Sequence, residues 1–192
     1  MNFQTFRSIF TVAAIAPFAL FAVSSTFADM VYAQTVSLPT PISVDVAESK
    51  SLTRRGDAVM RFFGLKVYDI RLWTPGRPHR DEDVFALELV YDLGLKGAEI
   101  AKRSADEMRK IGYTDEAKLK RWTEAMMTAF PDVKQGDTLV GVSVPGKEAR
   151  FYSRDKFLAA VPDPEFAKAF FGIWLSEKTS EPRLRERLLG GK

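Results

Sequence analysis

Arg61, Tyr68 and Arg71 lie in a stretch of the chain whose pattern is that of two paired strands. A guanidinium within a sheet needs an anion and hydrogen bonds to offset its loss of water. The carboxylate head group of a ligand would supply both, and the tyrosine hydroxyl could donate to it as well. Internal partners such as Asp69 or Glu88 would satisfy the arginines equally, and the sequence leaves both interpretations open. Arg61, Tyr68 and Arg71 are therefore our candidate ligand-binding residues.

Other reactive groups are scarce. His79 is the single histidine, lies between Pro78 and Arg80 in a charged loop, and is expected to be an exposed loop residue. The chain has no cysteine and no Gly-x-Ser-x-Gly elbow, so we predict no catalytic residue of the thiol or serine type. Neither a phosphate-binding loop nor a calcium-loop spacing occurs, so we predict no cofactor and no metal site.

The charge pattern predicts a solvated surface rather than a nucleic-acid site. The net charge is +3 and the sequence pI is about 9.1. On the first helical stretch, however, acids and bases alternate, as is typical of a helix face in water; the charged positions are Glu99, Lys102, Arg103, Asp106, Glu107 and Arg109. We therefore expect no nucleic-acid partner.

The segment from Gly56 to Trp73 resembles the first sheet segment of the chalcone isomerase fold, in its bacterial chalcone-isomerase-like branch. The plant enzymes of that family carry an arginine four residues after the glycine, where this chain has Met60, and Arg61 follows one residue late. Where the enzymes place a catalytic threonine, the chain has Tyr68, as the fatty-acid-binding members do. On a strand, Arg61 would face away from Met60 and Tyr68 unless a bulge near Gly64 changes the register.

Three further segments carry the same resemblance in the same order, namely 112–115, 130–137 and 170–175. The enzymes also use a helix-borne tyrosine, and no tyrosine occurs from Asp92 to Gly112; Ser180 matches one remaining hydroxyl position. The resemblance therefore implies a non-catalytic member. It also implies an open-faced sandwich over essentially the whole mature chain.

The period of the apolar residues predicts an α+β protein with one antiparallel sheet and a layer of helices on one face. Strands are predicted over 42–46, 58–63, 65–73, 84–91, 137–144 and 149–153, and in the fourth of these Phe85, Leu87, Leu89 and Tyr91 share a face. Helices are predicted from 97 to 111, after a Thr114 cap as far as Pro131, from Pro164 onward, and from about Ser180 to Gly190.

The N-terminus has the layout of a secretory signal peptide. Arg7 precedes an apolar run from Ile9 to Val23, which is too short for the ~20 residues that span a bilayer. Small-residue cleavage sites end at Ala28 and Ala33. We expect a signal peptide over residues 1–33, a chalcone-isomerase-like domain over 34–192, a periplasmic location and no stable membrane span after cleavage.

Three functions stay open at this point. The first is a non-catalytic exported protein that binds an apolar carboxylate such as a fatty acid, through Arg61 and Tyr68. The second is an isomerase or lyase acting on a small molecule. The third is a structural or partner-binding protein, with the basic C-terminal helix, which contains Arg183, Arg185 and Arg187, as its surface. A cavity between the sheet and the helices would separate the first two from the third.

Overall fold

The computed structural model of the chain describes residues 51–154 and 156–191, together with Leu38 and Ile42. Within the ranges 51–154 and 156–191 the chain forms six strands and four helices, in the order three strands, two helices, three strands, two helices. The strands are β1 (Thr53–Phe62), β2 (Leu65–Thr74), β3 (Phe85–Tyr91), β4 (Thr138–Val144), β5 (Glu148–Ser153) and β6 (Phe157–Val161). The helices are α1 (Gly97–Lys110), α2 (Glu116–Ala129), α3 (Pro164–Leu175) and α4 (Pro182–Leu188).

The six strands form one antiparallel sheet in chain order, with each strand hydrogen-bonded to the next. Short connections such as the turn at Pro145 and Gly146 join most of the neighbouring strands, whereas the connection from β3 to β4 contains α1 and α2. The four helices contribute to the core cluster on one face of the sheet, where they meet Ile70, Leu72 and Leu87. This is the predicted α+β open-faced sandwich.

The opposite face of the sheet carries a second, smaller cluster. Trp73, Val142 and Tyr152 are buried there with Ile42 and Leu52 from the segment before β1. Ile42 is helical. The remainder of the strand predicted over 42–46 lies outside the described residues, as does the predicted signal peptide.

Helix α4 lies directly on the first strand. A Cβ atom added to Gly56 would lie 2.2 Å from the carbonyl oxygen of Arg187, far inside van der Waals contact. Only glycine permits this approach of a helix backbone to a strand. Gly56, the first residue of the segment that resembles the family, therefore has a structural role at the contact with α4.

Three details of the sequence interpretation were wrong. The cap of α2 is Asp115, whose side chain accepts from the Lys118 amide, and not Thr114. The edge strand β6 was missed because its sequence, Phe-Leu-Ala-Ala-Val, lacks a polar alternation. His79 is not exposed: its side chain is 9% accessible and its ring packs edge-on against Phe85 at 4.5 Å.

Candidate ligand-binding site

A cavity of about 390 Å³ lies between the sheet and the helices. This volume falls in the range of roughly 300–1,000 Å³ that is usual for small-molecule sites. Most of the wall is apolar and comes from the inner faces of β1 to β4 and from α1 and α3; representative lining residues are Met60, Leu89, Leu139, Ile100 and Phe170. The core of the sandwich is therefore incompletely filled at this point.

The inner face of β3 was predicted correctly, because a strand exposes alternate residues to one side. Phe85, Leu87, Leu89 and Tyr91 all belong to the helix-side core. Leu87, Leu89 and Tyr91 also line the cavity.

A bulge in β2 sets which residues of the first hairpin face the cavity. Met60 is paired with Tyr68, the next pair is Arg61 with Lys66, and Val67 is left without a partner between them. Val67 and Tyr68 both line the cavity as a result. The bulge does not bring Arg61 inward, and Met60 is the residue that faces the site.

The Tyr68 hydroxyl is the polar group placed at the cavity wall by β2. Its oxygen accepts a hydrogen bond from Nε1 of Trp174 on α3, over 3.0 Å. Burial raises the pKa of Tyr68 to about 12, although the Trp174 hydrogen bond acts in the opposite direction. The hydroxyl therefore keeps its proton at physiological pH, and no described residue accepts that proton. Tyr68 can donate it to a ligand.

The two arginines predicted with Tyr68 lie elsewhere. Arg61 is exposed, and its Nη1 donates to the carbonyl oxygen of Gly64 over 3.2 Å at the hairpin tip. Arg71 lies on the opposite face of the sheet, where its Nη1 is 3.3 Å from Oε2 of Glu88. The sequence allowed either a ligand carboxylate or an internal carboxylate as the partner of Arg71, and the structure shows the internal one, Glu88. The structure brings neither arginine to the cavity.

The cation at the cavity is Arg103 on α1, which the sequence interpretation assigned to a solvated helix face. Its side chain is 52% accessible, its Nη2 is 2.7 Å from Oε1 of Glu107, and its guanidinium carbon lies 5.4 Å from the centre of the Phe62 ring. This position at the mouth combines a charge with a cation–π contact.

Glu107 is buried at the cavity wall, contrary to the prediction that it covers the outer face of α1. Its Oε2 accepts from the Ser180 hydroxyl over 2.7 Å, and its Oε1 accepts from Lys110 over 2.9 Å. Burial alone would raise the pKa of Glu107. The hydrogen bonds from Ser180 and Lys110 and the charge of Arg103 outweigh this effect and hold the pKa below its usual range. Glu107 is thus a fixed anion, and Ser180 is already engaged.

Two further features concern metal binding and membrane insertion. Among the described residues, no group of three or more histidine, aspartate or glutamate side chains is placed to hold a metal ion. Of the helices in the described ranges, none has the length and apolar character needed to cross a bilayer.

The fold and the cavity together define a small α+β protein with an apolar site between an antiparallel sheet and its helix layer. The chain belongs to the chalcone isomerase-like family, whose model matches residues 31–190. The family suggested by the Gly56 to Trp73 segment is therefore confirmed.

Two relatives extend this comparison. An uncharacterized protein of Haemophilus influenzae is 27% identical over 136 residues, which make up 70% of this chain and 66% of the relative. The chain thus spans just under two thirds of the length of this relative. The crystal structure of a fatty-acid-binding protein from Arabidopsis thaliana superposes with a TM-score of 0.55 at 12% identity, over 72% of this chain and 87% of the plant chain. At 12% identity, this comparison shows that the two chains share a fold.

Proposed function

We propose that this protein is a non-catalytic carrier that binds an apolar carboxylate, such as a fatty acid, in the cavity between the sheet and the helices. The observation that carries the proposal is a largely apolar cavity of about 390 Å³ whose wall includes the protonated Tyr68 hydroxyl and, at its mouth, the Arg103 guanidinium. Similarity to a fold that serves fatty-acid binding in Arabidopsis thaliana supports it.

The head group would be held by Tyr68 and Arg103. The tyrosine donates one hydrogen bond, and the guanidinium offers a charge and further donors. Arg103 can turn to a ligand at little cost, because Glu107 retains Lys110 and Ser180 as partners when Arg103 leaves it. The predicted roles of Arg61 and Arg71 at the head group have no support in this geometry.

Catalysis is left out of the proposal for reasons of chemistry. Isomerisation of a chalcone needs several preorganised donors around a phenolate. Met60 occupies the position of the family arginine, and the Ser180 hydroxyl donates to Glu107. Turnover of a chalcone by the pure protein, abolished by Tyr68→Phe, would contradict this part of the proposal.

We further propose that the protein acts in the periplasm. The N-terminal apolar run between Ile9 and Val23, which has the layout of a signal peptide, supports this proposal. The intact mass of the full chain expressed with its own N-terminus tests this point. A mass that corresponds to loss of 28 or 33 residues, in the exported fraction, is the expected result. An uncleaved chain in the cytosolic fraction would contradict it.

Native mass spectrometry of protein purified without detergent, followed by titration calorimetry with saturated fatty acids of increasing length, tests the ligand. We expect one acid per chain and weaker binding of the matching alcohol and methyl ester. Tyr68→Phe and Arg103→Gln should each weaken binding about ten- to a hundredfold, since a hydrogen bond to a charged group is worth about 1.5–3 kcal/mol.

Three control variants sharpen this test. Arg61→Gln and Arg71→Gln examine the arginines chosen from the sequence, and Arg183→Gln removes an exposed arginine of α4 that does not line the cavity. All three should bind normally. Absence of binding for every acid tested would overturn the proposal and leave the partner-binding function as the better one.

A further inference from the structure

The tip of the hairpin between β1 and β2 exposes three large apolar side chains. Phe62 is 49% accessible, Phe63 is 91% accessible and Leu65 is 64% accessible. The rings of Phe62 and Phe63 are in edge contact at 4.5 Å, and Leu65 pairs with Phe62 across the hairpin. The three side chains therefore form one patch, which we call the apolar tip. A contiguous exposed patch of this kind on a monomer indicates an interaction surface.

The backbone at the tip does not call for phenylalanine. Phe63 has a φ of 47° and Gly64 a φ of 81°, so two consecutive residues adopt left-handed conformations. Such turns favour Asn-Gly or Asp-Gly, because asparagine and aspartate tolerate this conformation better than a bulky side chain does. Phe63 is therefore strained as well as exposed, and hairpin stability alone gives no reason for it. The cost is explained if the ring contacts something outside the chain.

The apolar tip is continuous with the mouth of the cavity. Phe62 and Leu65 line the cavity while remaining about half-exposed or more, and Leu93, which is 36% accessible, lines it as well. Arg61, on the same hairpin, forms no ion pair with any described carboxylate. An apolar surface thus leads from solvent into the site, with an unpaired cation beside it.

We propose that the apolar tip inserts into the surface of a lipid bilayer, with Arg61 at the level of the lipid phosphates, so that the mouth of the cavity opens onto the acyl region. An apolar face with flanking cations is the physical basis of interfacial membrane binding. The inference rests on the proposed function for its purpose, which is transfer of the ligand between bilayer and cavity. Membrane docking itself can be measured without any ligand.

A bilayer fits the apolar tip better than a second copy of the chain does. Three side chains at the end of a hairpin present far less than the roughly 800 Å² per partner of a stable protein interface. A bilayer needs no complementary shape, and it accepts phenylalanine and leucine together with an arginine head at the interface. Because the cavity mouth lies beside the tip, a docked protein would be positioned to exchange its ligand with the bilayer.

The absence of cysteine from the chain permits a direct test. Phe63→Cys and, as control, Met127→Cys each create a single labelling site; Met127 is 39% accessible and lies on α2, outside the cavity lining. The variants carry the environment-sensitive dye NBD and are mixed with vesicles of phosphatidylethanolamine and phosphatidylglycerol at about 3:1. We expect a blue shift and an intensity gain for the dye at 63, and neither for the dye at 127.

Vesicle flotation of unlabelled protein supplies the second measurement. Phe63→Asn should lower the vesicle partition coefficient about tenfold or more, because the ring is almost fully transferred from water in the docked state. The same variant should fold at least as well as the parent, since Asn-Gly suits the turn. Met127→Gln should partition as the parent does.

Three results would overturn the inference. An unshifted dye at position 63 with vesicles present, together with no flotation of the unlabelled parent, would reject docking, and it would leave the proposed function standing if fatty acids still bind. A shift at 63 that depends on protein concentration without vesicles would indicate tip-to-tip association of two copies. Equal shifts at 63 and 127 would indicate non-specific adsorption. Docking without any fatty-acid binding would instead reject the proposed function alone.

Discussion

The Nε1 of Trp174 on α3 and the hydroxyl oxygen of Tyr68 on β2 are 3.0 Å apart, in a hydrogen bond that spans 106 residues of the chain. The contact joins the helix layer to the sheet at the wall of the cavity. It also occupies an acceptor position of the hydroxyl and leaves the proton for another group.

Replacing Tyr68 by phenylalanine should lower the free energy of unfolding by about 1–2 kcal/mol, because the Trp174 N–H loses its acceptor in a partly buried place. Urea unfolding followed by tryptophan fluorescence measures this. Tyr113→Phe is the matched control, since no hydrogen bond involves the Tyr113 hydroxyl among the described residues, and it should change stability by no more than about 0.5 kcal/mol. Equal losses in the two variants would contradict the role of the hydrogen bond.

Tyr68 should also contribute to instability in alkali. Its pKa is raised from 10.0 to about 12 by burial, so above pH 10 an unfolded chain loses this proton while the folded chain keeps it. The unfolded state then binds fewer protons, and stability falls as the pH rises through that window. The unfolding free energy of Tyr68→Phe should therefore fall less steeply than that of the parent between about pH 10 and 12. Parallel slopes would show that the hydroxyl is not perturbed.

Glu107→Gln should lower the unfolding free energy by about 1–3 kcal/mol at neutral pH, since a buried carboxylate with charged hydrogen bonds is lost. The surroundings of Glu107 hold its pKa below the usual range in the folded protein. The ionised carboxylate therefore stabilises the fold above the unfolded-state pKa, and this contribution is lost as the pH falls through the folded-state pKa. The gap between parent and variant should therefore close in acid. Glu124→Gln, an exposed position on α2, should show no gap at any pH.

Filling the cavity should separate binding from folding. Ile100→Phe adds volume on the α1 wall of the cavity, so we expect loss of fatty-acid binding with an unchanged or slightly higher melting temperature. Leu158→Phe, a similar enlargement on β6 outside the cavity lining, should leave binding intact. A loss of binding in the β6 variant alone would place the site elsewhere.

Gly56→Ala should disturb the contact between β1 and α4. The new methyl group would lie 2.2 Å from a backbone oxygen of α4, and overpacking of this kind costs about 1–3 kcal/mol. Gly94→Ala is the control, since its nearest neighbour would be 3.5 Å away. Thermal unfolding should distinguish the two, and equal melting temperatures would show that α4 can move at no cost.

The sequence was sufficient for most elements because their patterns are local. The inner face of β3 follows from strict alternation, and the start of α3 follows from Asp163 and Pro164, whose roles as cap and first-turn residue are confirmed. The site was harder to predict. Val67 is apolar on a strand with apolar residues on both faces, so its sequence does not reveal the bulge.

The polar part of the site depends on contacts between distant residues. Glu107 follows Arg103 by four positions, which is typical of a solvated helix face. Its hydrogen bond from Ser180, 73 residues away, is not visible in that spacing. The hydrogen bond between Tyr68 and Trp174 likewise joins residues that are far apart in the sequence. Arg71 had a partner within the neighbouring strand, which the sequence allowed but could not select over a ligand.

The unpaired Val67 has a consequence for how this hairpin tolerates changes in length. Deletion of Val67 would leave Tyr68 opposite Met60 and Lys66 opposite Arg61, so the ladder would become regular without any side chain changing sides. Arg55 on β1 is likewise without a partner, between the pairs Arg54–Trp73 and Gly56–Leu72. An insertion or deletion of one residue in either arm, away from Val67 and Arg55, would exchange inner and outer side chains between that position and the turn. Members of this family whose first hairpin differs by one residue should therefore carry that difference at position 67 or 55.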